Sequence, residues 1–432
     1  MIRRLTSCLM SLFFCVCTGW TEEPARQELR WMGHWKNEGL REQLVREVQE
    51  DFQFLHQEVN ISMTFASDLL PQKNQKNAGI LIADMIRSGR IDWDVVWMDP
   101  QIYQTVAAEL DDPDWGAKHL VDFSEFPDVK AAHKSFLVDG PDCHQDTGGI
   151  FVGPYIEGFY TCLWYNTAVA EKLGLEINEK EMSADDLLGY LLRIKEYNQT
   201  AETPVSGFVD FIRSGSFTRL AHNLYLSEHL AHPDTPAEEI QTHILRFYEA
   251  MQPCDPLLYD SPSNTWREAA QLLSEDNVLF VIEPTWFYNM VRDHFPKLLN
   301  KLYPAQMPGF EKQSFYVGGF MPAWAVMKNS PVRDVSVELM RFWSSPATAE
   351  KWVRYTKSPT GLSGSLYDSE YGMDSLADFQ RRLISGRNLQ PDILFFKEDD
   401  SPISPILDYI YPIIRGEMTA DEALTKMKTT DE

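Results

Sequence analysis

Two hydrophobic periods alternate along the first hundred residues, and this alternation constrains the fold more than any other feature of the chain. Glu28 to Trp35 is a strand-like run. A helical stretch follows, with Leu40, Leu44, Val45, Val48, Phe52 and Leu55 on one face, and Val59 to Phe65 then alternates as a second strand. Ile80 to Arg87 returns to the helical period, with Gly89 in the usual place after a helix C-terminus. Trp93 to Met98 reads as a buried strand. The order strand, helix, strand, helix, strand predicts a largely parallel sheet covered by helices, with ligands bound beyond the carboxyl ends of its strands.

A second α/β unit emerges downstream. Thr167 to Leu173 predicts a short helix ended by Gly174, and Ser183 with Asp186 resembles a capping box opening a helix over Ala184 to Tyr197. Trp266 to Leu273 is helical, and Val278 to Ile282 is a continuous apolar strand stopped by Pro284. Ser330 and Pro331 begin a helix through Trp343, Ser345 and Pro346 begin the next, and Thr419 with Glu422 caps the last. At 432 residues the chain exceeds the roughly 250 to 300 beyond which one core divides, so two domains are expected. No internal repeat, low-complexity tract or long linker lies between the units, which predicts tight chain crossings rather than a tether.

Residues 1–19 read as a secretory signal, with Arg3 and Arg4 as its basic start and Leu9 to Val16 as an apolar stretch broken only by Ser11. That run is too short to span a bilayer, and no later segment offers about 18 uninterrupted apolar residues. A periplasmic or extracellular location after cleavage is expected. A lipid anchor on Cys15 or Cys17 is the lesser alternative, because Phe13, Phe14 and Val16 fit a lipobox poorly. Cys8, Cys15 and Cys17 fall within the signal, leaving Cys143, Cys162 and Cys254, which allow at most one disulfide and one free thiol. The net charge of −25 becomes −27 once Arg3 and Arg4 are removed, which disfavours nucleic acid and anionic membrane surfaces as partners.

No strong catalytic or metal signature emerges. G-x-S-x-G, H-E-x-x-H and G-x-x-x-x-G-K-[ST] are missing. His222, His229 and His232 argue weakly for a metal, since the last two run into Pro233 and a helix-face pair has no third ligand of known position. Asp142, Cys143, His144 and Asp146 form a polar loop flanked by Gly and Pro, more often solvated than coordinating. Among 64 acidic residues, carboxylate pairs of the kind glycosidases use are too numerous to argue from. The expectation is therefore no catalytic residue, no metal and no cofactor.

Three longer segments carry a family resemblance: VGPYIEGFYTCLWYN (Val152 to Asn166), TWREAAQLLSEDNVLFVIEPTW (Thr265 to Trp286) and FYVGGFMPAWAVMK (Phe315 to Lys328). In that order and at those separations they resemble the landmarks of bacterial extracellular solute-binding proteins that feed ABC importers, in the maltose-binding-protein-like, sugar-type branch. LRWMGHW (Leu29 to Trp35) is similar to the family's first strand, and SGRIDWDVVWMDP (Ser88 to Pro100) to its small-Gly, Asp-Val, aromatic signature. SSPATAEKWV and MTADEALTKM resemble two of its helices. Glu283 departs from the pattern, standing where Gly commonly precedes the Pro-Trp-like turn, and VLFVI replaces a strand that usually carries Ala-Met.

The resemblance implies an α/β fold of two doubly wound lobes joined by a multi-crossing hinge, of the periplasmic binding protein-like type II. Lobe one would comprise residues 24–152 plus 322–358 and lobe two 158–316 plus 360–432, with crossings near 153–158, 317–321 and 358–360. The implied function is capture of a mono- or oligosaccharide by hinge closure and delivery to ABC permease subunits, by a monomer that catalyses nothing. A sugar has apolar C–H faces and hydroxyl edges, so its receptor needs aromatic surfaces and a few well-placed polar groups. Trp35, Trp97, Tyr155 and Trp286 are expected to supply the former, and His34, Asp99 and Glu157 the latter. Gly318 and Gly319, expected among the ligand-binding residues, sit with Gly153 and Gly158 where a hinge needs backbone freedom. Alternatives keep the fold but bind a polyamine, another organic cation or a metal chelate, or present ligand to a sensory receptor. A glycoside hydrolase or lyase in the same cleft is a more remote one.

Overall fold

The opening strand–helix alternation forms as expected in a computed structural model, which describes residues 26–69, 76–129, 149–209, 215–258, 266–311, 315–356, 358, 389–391 and 401–430. The first lobe contains β1 (Gln27–Gly33), α1 (Leu40–Leu55), β2 (Val59–Phe65), α2 (Ala66–Leu69), α3 (Lys76–Ser88), β3 (Val95–Trp97), α4 (Pro100–Leu110) and α5 (Trp115–His119). The second contains β4 (Glu157–Asn166), α6 (Thr167–Leu173), α7 (Ala184–Asn198), β5 (Ser206–Phe208), α8 (Ser216–Ala231), α9 (Ala237–Met251), α10 (Trp266–Ser274), β6 (Val278–Pro284), α11 (Phe287–His294), β7 (Leu302–Ala305) and β8 (Tyr316–Met321). The chain returns to the first lobe through β9 (Trp324–Val326), α12 (Arg333–Trp343) and α13 (Pro346–Thr356). It ends with β10 (Leu389–Pro391), α14 (Leu407–Ile414) and α15 (Ala420–Thr430) in the second.

In the first sheet the order is β2-β1-β3-β9. β1 pairs in parallel with β2 from Gln27↔Val59 to Gly33↔Phe65 and with β3 at Trp31↔Val95, as the alternation predicts. β9 runs antiparallel to β3 because it enters from the other lobe. Buried Asp94 clamps this edge by accepting from Arg30 N at 2.8 Å, Arg30 Nε at 3.0 Å and Ser330 Oγ at 2.8 Å, so the desolvation of its carboxylate is offset by convergent donors. Below the sheet lies an indole core. Trp31 and Trp324 meet edge to face at 4.9 Å, and Trp343, Trp35 and Trp352 surround them. Such pairs add about 0.5–1.5 kcal/mol each beyond the area they bury, so much of the chain's tryptophan serves packing.

The second sheet, β10-β8-β4-β6-β5, is organised around β4, every residue of which is buried. β4 pairs antiparallel with β6, β7 and β8, while β5 lies parallel to β6 and β10 to β8. Two crossings run side by side: Gly153 bridges Trp324, and Glu157↔Met321 through Tyr160↔Gly318 pair antiparallel. None of Gly153, Gly158, Gly318 and Gly319 is among the residues with left-handed φ. At Gly318 the requirement is close approach instead, because a Cβ there would collide with the Phe159 carbonyl oxygen. The expected third crossing, apart from Ser358, lies outside the described residues, as do the expected signal at 1–19, Cys143 and the polar stretch at 142–146.

Several local expectations need correction. Leu55, assigned to the apolar face of α1, is 64% exposed, because the helix's last turn overhangs the core; Leu44, Val45, Val48 and Phe52 form the buried stripe. Pro284 does not stop β6. A proline lacks only the donor, and Pro284 still pairs with Thr161, the chain turning one residue later. The helix expected from Ser330 starts at Arg333. By contrast, the capping box at Ser183 and Asp186 has both of its hydrogen bonds, at 3.1 and 2.9 Å, and Thr419 and Glu422 form the same reciprocal pair. Cys162 and Cys254 are buried free thiols.

Candidate functional site

The carboxyl ends of β1 and β3 open on the seam between the lobes, and the loop after β1 forms the first wall of a candidate site. That loop carries Trp35 at φ 66° and Asn37 at φ 61°, and ends at Gly39 with φ 56°. A left-handed tryptophan costs on the order of 1–3 kcal/mol. It persists because the ring, 2% exposed, is held against Trp324 and Trp352. Pinning this indole in the core fixes the loop on both sides of it, and with it His34 and Glu38.

His34 stacks on Trp97 with ring centroids 3.7 Å apart and planes 7° from parallel. Burial, aided by the nearby Arg41 charge, lowers its pKa to about 3, so a neutral imidazole offers one donor and one acceptor. Two residues beyond Trp97, Asp99 caps α4 by accepting from Ile102 N at 2.7 Å. Desolvation, with the Glu157 charge adding to it, raises Asp99 to about 6.

Arg41 occupies the stripe that α1 buries, together with Val45, Val48 and Phe52. Its guanidinium lies 5.5 Å from the Trp352 ring centroid and bridges two carboxylates, with Nη1 3.2 Å from Glu38 and Nη2 3.1 Å from Glu157. Glu157 begins β4, so this ion pair ties α1 to a crossing strand. Desolvation raises Glu38 above the ordinary carboxylate range; Arg41 opposes the shift, and repulsion from Glu157 and Asp293 adds to it.

The opposing wall is α11. Thr285 turns the chain into it, donating from N to Tyr160 O at 2.9 Å while its hydroxyl accepts from Tyr160 N at 3.3 Å. Trp286 follows, partly exposed and edge-on to Phe287. Trp286, Asn289 and Asp293 are spaced three and four apart and share one stripe of the helix. At its far end α11 touches the first lobe: Arg292 Nη1 donates to Tyr355 O in the last turn of α13, and the Asp293 carboxylate occupies the space a Cβ on Gly39 would need.

Of the residues expected to bind ligand, His34, Trp97, Asp99 and Glu157 come together in one cluster. Trp35 lies in the indole core. Tyr155, 4% exposed, is buried in the first crossing, and Gly318 and Gly319 lie inside the paired crossing strands. Trp286 stands on the other lobe, about 10 Å along α11 from Asp293. Sequence reasoning misses Glu38, Arg41, Asn289 and Asp293. Only Arg41 left a signal, as a charge on the apolar stripe of an amphipathic helix, which requires a buried partner. The three histidines weighed as metal ligands have different neighbours: His222 is buried in the second lobe, His229 stacks on Tyr225, and His232 faces Glu311 at 3.6 Å.

A family model described as bacterial extracellular solute-binding protein matches residues 82–377. No curated protein sequence matches the chain. Among solved structures, the GacH receptor of Streptomyces glaucescens, determined unliganded and with acarbose, is similar at a TM-score of 0.66 and 16% identity, over 94% of this chain and 97% of that one. Maltose-bound MalE3 of T. maritima is similar at 0.63 and 14%, over 93% and 98%. RafE of Streptococcus pneumoniae, in its apo form, is similar at 0.61 and 15%, over 95% and 99%. At such identities the likeness establishes the two-lobed α/β fold.

Proposed function

The chain belongs to the bacterial extracellular solute-binding protein family, and from that premise we propose that it captures a mono- or oligosaccharide between its lobes and delivers it to an ABC permease, catalysing no reaction. The observation that carries this reading is the interleaving of donors and acceptors at the seam. Arg41 lies between Glu38 and Glu157, with Asp99 and the neutral His34 alongside. A hydroxyl both donates and accepts, so a polyol can satisfy carboxylates and guanidinium together, and the rings of Trp97 and Trp286 suit its C–H faces. The expected lobes, 24–152 plus 322–358 and 158–316 plus 360–432, would close on the ligand, and only affinity that differs between open and closed states drives that motion.

Export through the expected signal fits the family's extracellular character. Among the described residues no helix is long and apolar enough to cross a membrane. The excess of carboxylates, with Glu38, Asp99, Glu157 and Asp293 gathered around Arg41 and Arg292, favours a second reading in which the same cleft takes a polyamine or another organic cation. Calorimetric titration with maltose, raffinose and stachyose against spermidine separates the two. A saccharide is expected to bind, with Trp286→Ala weakening it at least about tenfold at unchanged folding. Heat of binding from spermidine alone refutes the saccharide reading, and an unaltered dissociation constant refutes the role of Trp286.

A further inference from the structure

Two polar side chains at the seam are more than nine-tenths buried and leave polar atoms without hydrogen-bond partners, and they come from opposite lobes. Arg41 is 8% exposed. Its Nη1 donates to Glu38, but Nε and Nη2, which form one edge of the guanidinium, make no hydrogen bond; Glu157 lies 3.1 Å from Nη2 as an ion pair without hydrogen-bond geometry. Asn289 is 4% exposed, and neither Oδ1 nor Nδ2 is hydrogen-bonded. Buried polar groups are almost always satisfied, so an orphan on each side of one cleft points to something that enters and satisfies both. Both belong to that cleft: Asn289 lies one turn before Asp293 on α11, Asp293 touches Gly39, and Arg41 follows Gly39 by two residues.

We propose that Arg41 and Asn289 are specificity-determining ligand contacts, one from each lobe, and that together they select an uncharged vicinal diol. The guanidinium edge presents two parallel N–H groups, which match two adjacent oxygens. The amide donates to one hydroxyl and accepts from another. An organic cation can meet the carboxylates but has no acceptor to offer the Arg41 edge, and a carboxylate ligand meets Glu38, Glu157 and Asp99. Adjacent sugar hydroxyls satisfy all of these groups, accepting from Arg41 and Asn289 while donating to the carboxylates. Because the two orphans lie on different lobes, a ligand that bridges them rewards closure itself.

This inference rests on the saccharide reading, and its test separates the two. Asn289→Leu removes the orphaned amide at similar volume, and Arg41→Lys keeps the charge but loses the two-donor edge. Thermal unfolding without ligand comes first. Asn289→Leu is expected to hold or raise the midpoint, since an unsatisfied buried amide costs stability; a lowered midpoint would mean the amide already has a partner and would overturn the proposal. In calorimetric titrations with maltose and raffinose, each variant is expected to bind about ten- to hundredfold more weakly than the wild-type chain. Undiminished saccharide affinity in Asn289→Leu overturns this inference alone. Spermidine binding with no saccharide response overturns the saccharide reading as well.

Discussion

Asp99 caps a helix with the same carboxylate that lies in the candidate site. As the cap of α4 it accepts from Ile102 N, yet it lies at the seam where burial and Glu157 raise its pKa from 3.8 to about 6. Between those values the native state holds a proton that the unfolded chain releases, so this group's contribution to stability declines as pH rises through the window. Asp99→Asn keeps the cap and removes the ionisation. It is expected to match the wild type near pH 4 and to gain roughly 1–2 kcal/mol at pH 7.5, allowing for partial exposure, as read by urea unfolding at both values. A gain independent of pH would contradict the burial account. His34 has the opposite sign: its folded pKa of about 3 lies below the ordinary 6.5, so acidification below 6.5 destabilises through it. Neither shift is legible in the sequence, because burial, the larger cause of each, is set by how the whole chain packs.

At the scale of elements, legibility follows the range of the forces involved. The strand Val59–Phe65, the helix Thr167–Leu173 and the boxes at Ser183 and Thr419 depend on neighbours within one or two turns, and they stand where the periodicity puts them. Leu55 and Pro284 depend on where the core ends and on which strand lies alongside, and there local rules mislead. Gly318 is a further case. Its position suggests hinge freedom, whereas its environment demands the absence of a side chain, with β4 packed against it. Gly318→Ala is expected to destabilise the protein by about 1–3 kcal/mol through displacement of the paired crossing strands, measured by chemical denaturation. Stability equal to wild type would return the glycine to a role in backbone freedom.

At the scale of the molecule, α11 meets the ends of two helices in the opposing lobe with matched charge. Arg292 faces the carbonyl end of α13 and Asp293 the amino end of α1, whose cap Gly39 has no side chain of its own to offer. Helix termini carry partial charges of opposite sign, and each charge sits at the end that attracts it. Tyr355 and Lys351 bind Glu47 at 2.8 and 3.0 Å, so the two helices present their ends as one unit. This contact is expected to hold the empty protein partly shut. Arg292→Gln combined with Asp293→Asn should shift the open-to-closed ratio by about threefold to tenfold, seen as a larger radius of gyration in small-angle scattering without ligand. High salt should move the wild-type chain in the same direction. Identical scattering curves under all three conditions would rule the contact out as a determinant of closure.

The amino-acid sequence by itself determined the α/β class, the order of the opening strands and helices of the first lobe, several caps and the family, because periodicity, capping and short motifs are written in residues that are neighbours in the chain. Which tryptophans pack and which face the seam, why Gly318 is small, and the meeting of Arg41 with Glu157 and of Asp293 with Gly39 were decided by the tertiary structure alone. The candidate site joins the loop after β1, the end of β3, the crossing at Glu157 and the helix after Trp286. Burial and electrostatics act through space, so they assign roles only once the folded chain has brought those segments together.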